Sequence, residues 1–203
     1  EQLFAQTSTT SHNFTKIASN QYEQFWGLRS DGTLWYYHLG NSFSSYGTQT
    51  TWTQLGSDTD WQDIAAGQYS TYAIKNGELF VYGYQPDRQQ GRGNTTTYTS
   101  FTSVSGFTTG CELVSAGSSW SVVVSGSEAY TAGKNQNNRT GQGTSSGDTT
   151  TYTKLSGFSN VIAVSAGNRD GLLIEEATAG DGHGAVYGWG YNNANNLGIS
   201  GGT

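Results

Sequence analysis

Ile64-Ala65-Ala66-Gly67, Val114-Ser115-Ala116-Gly117 and Val164-Ser165-Ala166-Gly167 decide the fold. Each is an apolar residue, two small residues and a glycine, and the glycines stand 50 residues apart. A fixed period of that size marks repeated supersecondary units rather than one irregular domain. An earlier, degenerate copy, Ile17-Ala18-Ser19-Asn20, carries Asn in place of Gly. Asn is the usual second choice where φ is positive, so the reading expects a positive φ at this turn.

Two further markers recur in the same order. Thr50-Thr51-Trp52-Thr53-Gln54-Leu55, Thr96-Thr97-Tyr98-Thr99-Ser100-Phe101 and Thr150-Thr151-Tyr152-Thr153-Lys154-Leu155 alternate polar and apolar residues, the period of a strand. This alignment puts Trp52, Tyr98 and Tyr152 in one recurrent slot. Tyr82-Gly83-Tyr84-Gln85, Ala132-Gly133-Lys134-Asn135 and Trp189-Gly190-Tyr191-Asn192 each end a strand and open a polar loop. Asp31-Gly32 and Asn76-Gly77 are two-residue hairpin signals, because both central positions accept φ > 0. Each unit therefore reads as four short antiparallel strands, with the Thr-rich strand last, and no segment has a helical period. That is the arithmetic of a propeller blade. The expected fold class is all-β: a β-propeller of about four four-stranded blades in a single domain over 1–203. The repeat units are marked off at 1–49, 50–95, 96–149 and 150–203.

Composition supports this. Only 33% of the chain is hydrophobic, but 13 Tyr, 8 Phe and 6 Trp supply large apolar surfaces, and 29 Gly serve the turns. A net charge of −6, with nine Lys and Arg forming no run, argues against nucleic acid as a partner. No apolar stretch reaches the ~18 residues of a membrane-spanning helix, so no membrane insertion is expected. The single cysteine, Cys111, excludes an intrachain disulfide and a thiolate zinc site. It reads as a small strand residue.

Val-Ser-Ala-Gly, then Asp-Gly-x-Leu-aromatic, then Trp-Gly-x-Asn and a Gly-containing loop together resemble the regulator of chromosome condensation repeat. The match is best at 61–93, 112–143 and 161–198. The resemblance implies a propeller that is usually seven-bladed, so four repeats are expected to be part of a larger ring. Glu1-Gln2-Leu3 resembles the end of a Thr-rich strand and Gly202-Thr203 stops before one. Two readings fit these ends, an excerpt of a longer array or a ring whose ends meet.

The search for chemistry finds little. His12, His38 and His183 show no metal-ligand spacing, and the acidic cluster Asp58, Asp60 and Asp63 lacks a calcium loop, so the reading assigns no metal, no cofactor and no catalytic residue. The last repeat has 23 residues from Gly167 to Gly190, against 16 in the two before it, so an insertion lies within 175–184. Insertions in repeats map to loops and often to a binding face. Tyr and Arg are enriched at binding hot spots. Tyr46, Tyr84, Arg88, Arg139 and Tyr191, with Asp181 and His183 of the insertion, are therefore the candidate partner contacts. The Trp residues are read mainly as packing between blades.

The function expected is a non-enzymatic structural or interaction module with protein partners, self-assembly included, or glycan partners. Its polar, weakly charged composition is similar to repeat arrays in phage virion and bacterial surface proteins, which places it on a virion or cell surface as a fibre, decoration or adhesion component. The alternative is a regulatory propeller, a guanine-nucleotide exchange factor as the resemblance implies, or an enzyme inhibitor.

Overall fold

The structure, a computed structural model, describes residues 13–21, 24–38, 47–178, 180–193, 195, 197 and 198. Among the described residues fifteen strands form four antiparallel sheets in chain order. The first holds β1 (Phe14–Ser19), β2 (Gln24–Arg29), β3 (Leu34–His38) and β4 (Gln49–Gln54). The second holds β5 (Trp61–Ala66), β6 (Ser70–Lys75), β7 (Glu78–Gly83) and β8 (Tyr98–Ser103). The third holds β9 (Cys111–Ala116), β10 (Trp120–Ser125), β11 (Glu128–Gly133) and β12 (Thr149–Lys154). The fourth, with β13 (Val161–Ala166), β14 (Asp170–Glu176) and β15 (Gly184–Gly190), has three strands among the described residues. Sheets and repeat units share one period but differ in phase. A unit boundary such as 50–95 opens on the Thr-rich strand, whereas β4, β8 and β12 each close the sheet of the three strands before them.

Alternation along each strand builds the core between sheets. Leu28, Leu34 and Trp26 of the first sheet pack on Trp61, Ile64 and Ala73 of the second. Ile74, Leu79 and Val81 pack on Val114 and Val123 of the third, and Val122, Val124 and Ala129 on Val161 and Leu173 of the fourth. The first strands β1, β5, β9 and β13 are in successive contact. Asp63 staples three of them. Its buried carboxylate accepts the Ile64 N–H at 2.9 Å and the Val114 N–H at 2.9 Å, and pairs with Lys16. Asp63 is thus buried and structural, whereas Asp58 of the same acidic cluster is half exposed and pairs with Lys75 at 2.9 Å.

Two readings are corrected in detail. Gly67, Gly117 and Gly167 do not have positive φ. Glycine is required there by close approach, since a Cβ on Gly117 would collide with the Gly167 carbonyl oxygen, and one on Gly67 with that of Gly117. The aromatic slot of the outer strand holds Trp52, Phe101 and Tyr152, not Tyr98. Thr53, Thr102 and Thr153, one residue on, face Tyr36, Val81 and Thr131, while Tyr98 sits opposite Gly83 at the start of β8. Ser100-Phe101-Thr102 offers the same polar–aromatic–polar pattern three residues later, so the pattern alone left the register open.

Candidate functional site

Antiparallel order sends every unit's first turn and third loop to the same end. Gly67 N–H donates to the Ser70 carbonyl at 2.8 Å, Tyr84 N–H to the Tyr69 carbonyl at 3.0 Å, and the rings of Tyr69 and Tyr84 meet edge to face. This loop end comprises the turns at 67–69, 117–119 and 167–169, the loops 84–97 and 134–148, and residues 191–193, 195, 197 and 198. The hairpins at 76–77 and 126–127 and residues 177, 178 and 180–183 lie at the opposite end.

The loops are held from beneath by carboxamides, which explains the aromatic–Gly–x–Asn/Gln marker. Gln85 Nε2 donates to Asn94 Oδ1 at 2.9 Å and to the Thr96 carbonyl at 3.0 Å. The equivalent Asn135 donates to the Thr144 carbonyl at 2.9 Å and accepts from the Thr140 hydroxyl at 2.6 Å. Asn192 accepts the Leu197 N–H at 3.0 Å. Gln89 and Gln90, both buried, tie their loop back to the ends of β6 and β7 through Ser70, Tyr82 and Gly83. The Gln89 carbonyl accepts from Tyr72 at 2.9 Å and from Ser121 at 2.6 Å, and Ser121 also bonds the Tyr152 hydroxyl at 2.8 Å. Burial pushes both phenols well above their ordinary range, so they stay neutral and structural.

On this framework stand half-exposed and exposed contact groups. Arg88 reaches across to Asp148 of the next loop at 3.2 Å, Lys134 reaches back to Asp87 at 3.7 Å, and Arg169 lies over the Tyr191 ring at 5.3 Å. These pairs join neighbouring loops into one surface. Its charge was not visible along the chain. Five of the nine basic residues, Arg88, Arg92, Lys134, Arg139 and Arg169, fall in the loop-end segments, where the acidic residues are Asp87 and Asp148, with Asp170 just past the last turn at the start of β14. The hairpin end gathers Asp31, Asp58, Asp60, Glu78, Glu128, Glu175, Glu176 and Asp181 against the basic residues Arg29, Lys75 and Lys154. The two ends differ in sign although the basic residues form no run, because strand reversal sorts them by position within the repeat.

The candidate contacts divide accordingly. Tyr84, Arg88 and Tyr191 share the loop end. Arg139 belongs to it but is only 5% exposed, with Nε donating to the Gln136 carbonyl at 3.0 Å and its own carbonyl accepting Trp189 Nε1 at 2.8 Å. Burial and the neighbouring Arg169 hold its pKa below the ordinary arginine value. Asp181 and His183 sit in the β14–β15 hairpin at the other end, where Glu176 accepts the Gly180 and Gly182 N–H groups at 2.6 and 2.8 Å and Asp181 caps His183 N at 2.9 Å. Tyr46 lies outside the described residues. Tyr69 and Arg169 were missed, and Tyr69 had a signal, since it is two residues past the Ala-Gly turn and opposite Tyr84 in the repeat. At the mouth framed by the first turns, Asn20, Gln68, Ser118 and Asn168 line an open cavity of about 480 Å³. Among the described residues no three His, Cys, Asp or Glu side chains are grouped to hold a metal.

No family model and no curated protein sequence matches the chain. Solved structures do. Yeast RCC1 (Prp20) in complex with Kap60 superposes with a TM-score of 0.70 at 16% identity, over 91% of this chain and 45% of that one. Prp20p from Saccharomyces cerevisiae gives 0.70 at 15% over 92% and 47%, and human WBSCR16 gives 0.67 at 19% over 83% and 45%. The fold is an RCC1-like β-propeller repeat. This chain spans less than half the length of those propellers.

Proposed function

We propose that this RCC1-like chain is a non-enzymatic interaction module whose loop end binds a protein partner bearing an acidic, hydrogen-bonding surface. One observation carries the reading. Tyr69, Tyr84, Arg88, Lys134 and Tyr191 are presented on loops that buried Gln and Asn side chains hold in place, so little ordering entropy remains to be lost on binding. Tyr and Arg on a pre-ordered surface are the residue types that concentrate binding energy. Composition supports service in an exposed assembly, as a fibre, decoration or adhesion component of a phage virion or a bacterial surface protein.

Photocrosslinking in the source material tests the reading, with a benzophenone side chain placed at Tyr84 or, as the control, at Asp181. A discrete protein adduct at 84 and none at 181 supports it, and Arg88→Glu should cut the yield at least tenfold. Adducts at 181 alone refute it. A second reading, nucleotide exchange on a small GTPase, draws on the propeller neighbour that was characterised for binding to Gsp1p and histones. Acceleration of nucleotide release from such a GTPase is its direct test.

A further inference from the structure

Two successive repeats fill one loop position differently. In the third sheet's loop Gln142 stands between Gly141 and Gly143, and its Nε2 donates to Thr131 Oγ1 at 3.0 Å and to the Thr153 carbonyl at 3.2 Å. The second sheet's loop has Arg92 in that place, and its third strand has Val81 where β11 has Thr131, so the hydroxyl acceptor is gone. The Arg92 guanidinium lies over the Tyr98 ring at 4.5 Å, and its Nε and Nη1 are shielded from solvent with no acceptor. Arg88 and Lys134 of the same loops are paired with Asp148 and Asp87, whereas among the described residues no carboxylate pairs with Arg92. Buried donors of a charged group without an acceptor are rare, because nothing offsets their desolvation.

Arg92 borders a cavity of about 290 Å³ between the second and third sheets, whose four strands are all described. Gly93 N–H donates to the Thr150 carbonyl at 2.8 Å and Arg92 bridges Thr151, so the backbone that carries the guanidinium is fixed to the facing strand β12. Ser105 and Thr151, both exposed, bring hydroxyls to the lining. Phe107 and Tyr152, with ring centroids 5.0 Å apart, and the buried Val104 give the cavity an apolar side.

We infer that this cavity binds one acidic sugar ring, a hexuronate, with Arg92 taking its carboxylate, Ser105 and Thr151 its hydroxyls, and Phe107 and Tyr152 its C–H face. One guanidinium matches the single charge and planar fork of a carboxylate. A phosphate monoester carries about −1.5 to −2 and would leave charge uncompensated beside a single cation. An acidic side chain of a polypeptide would satisfy Arg92 but leave the two hydroxyls and the aromatic side unmatched. The volume lies at the small end of ligand pockets, about 300–1,000 Å³, which suits one ring rather than an oligomer. Rotamer changes are ordinary at binding surfaces, and a turn of the guanidinium off Tyr98 brings its N–H groups to the ligand. Neither Tyr84 nor Arg88 lines the cavity, so the inference does not depend on the protein partner proposed for the loop end.

The probe is methyl β-glucuronide, titrated into the 203-residue chain beside methyl β-glucoside, its uncharged counterpart, and read by proton–nitrogen correlation NMR of backbone amides and arginine Nε–H groups. The glucuronide should shift Arg92 Nε–H and the amides of Gly91, Gly93, Ser105 and Thr151, and should bind about tenfold more tightly than the glucoside. Arg92→Gln installs the residue type that the third repeat carries at 142, so the fold is kept, and it should abolish that preference. Lys75→Gln removes the same charge elsewhere on the second sheet and should leave the preference intact. The inference is overturned if the two sugars bind alike or neither binds, or if Arg92→Gln binds the glucuronide as wild type does. It is equally overturned if Lys75→Gln weakens binding as much as Arg92→Gln, which shows a general charge effect only. Displacement of the glucuronide from Arg92 by a lower concentration of inorganic phosphate or of a glutamate-only peptide also overturns it, since the site then belongs to another class of anion.

Discussion

Gly117→Ala tests the reasoning behind the 50-residue period most sharply. Gly117 does not lie in the left-handed region, so alanine meets no such backbone strain there, and the smaller freedom of the unfolded chain would by itself stabilise by about 0.4–1 kcal/mol. The structure predicts the opposite sign. The new Cβ would lie 2.5 Å from Trp120 Nε1 and would collide with the Gly167 carbonyl oxygen. Those two atoms are themselves hydrogen-bonded at 3.0 Å, and Trp120 is fully buried against Trp189, with ring centroids 5.8 Å apart. Overpacking costs about 1–3 kcal/mol, and weakening that bond about 0.5–1.5 more. The net expectation is a loss of about 2 kcal/mol, which for a chain of this length lowers Tm by about 4–8 °C. Urea titration followed by tryptophan fluorescence, with a calorimetric Tm, measures both. Ser118→Ala is the neighbouring control. It removes only the hydroxyl bond to Gln68 and should cost under about 1 kcal/mol. An unchanged or raised midpoint for G117A would refute the claim that close blade approach selects glycine at this turn.

Other outcomes follow from the same packing. Asp63→Ala leaves two buried N–H groups and Lys16 without their acceptor and should destabilise by about 2–4 kcal/mol in denaturant titration, whereas Asp58→Ala, at an exposed pair, should change stability by under about 0.5 kcal/mol. Tyr72 and Tyr152 carry folded pKa values raised above the ordinary 10.0, so their stability contribution is complete below pH 10 and is lost as pH rises, because only the unfolded chain ionises. Each should cost about 1.4 kcal/mol per pH unit above 10, and the alkaline slope of the unfolding midpoint should be shallower in Tyr152→Phe. Gln89→Ala removes the buried carboxamide that holds loop 84–93 and should speed amide exchange there at least tenfold, while exchange in β9 and β10 stays near wild type.

The repeat period, the all-β class and the four-strand unit were legible in the chain, because strand alternation is local. Of the two expected hairpin turns, however, Asp31-Gly32 forms a wider turn over 29–33 in which Asp31 has no positive φ. At the Asn76-Gly77 hairpin both residues have the positive φ that the dipeptide predicts. The register of the Thr-rich strand was not legible. Tyr98 and Phe101 both follow the pattern, and only pairing with β7 chose Phe101, which packs against Trp26, Trp61 and Tyr82. Arg139 shows the same limit for the candidate site. As a residue type it suits a contact surface, but its loop turns it under Trp189 and buries it.

The sequence by itself determined that this protein is a propeller-type repeat, since a spacing of 50 and a period of two need no knowledge of neighbours in space. Tertiary structure alone decided three other things. It sorted scattered charges onto two ends of unlike character, because alternate strands run in opposite directions. It separated Tyr84, Arg88 and Tyr191 from Asp181 and His183 for the same reason. It left Val186 exposed where Leu34, Leu79 and Ala129 are buried, because burial depends on which strand lies alongside, and no single residue carries that information.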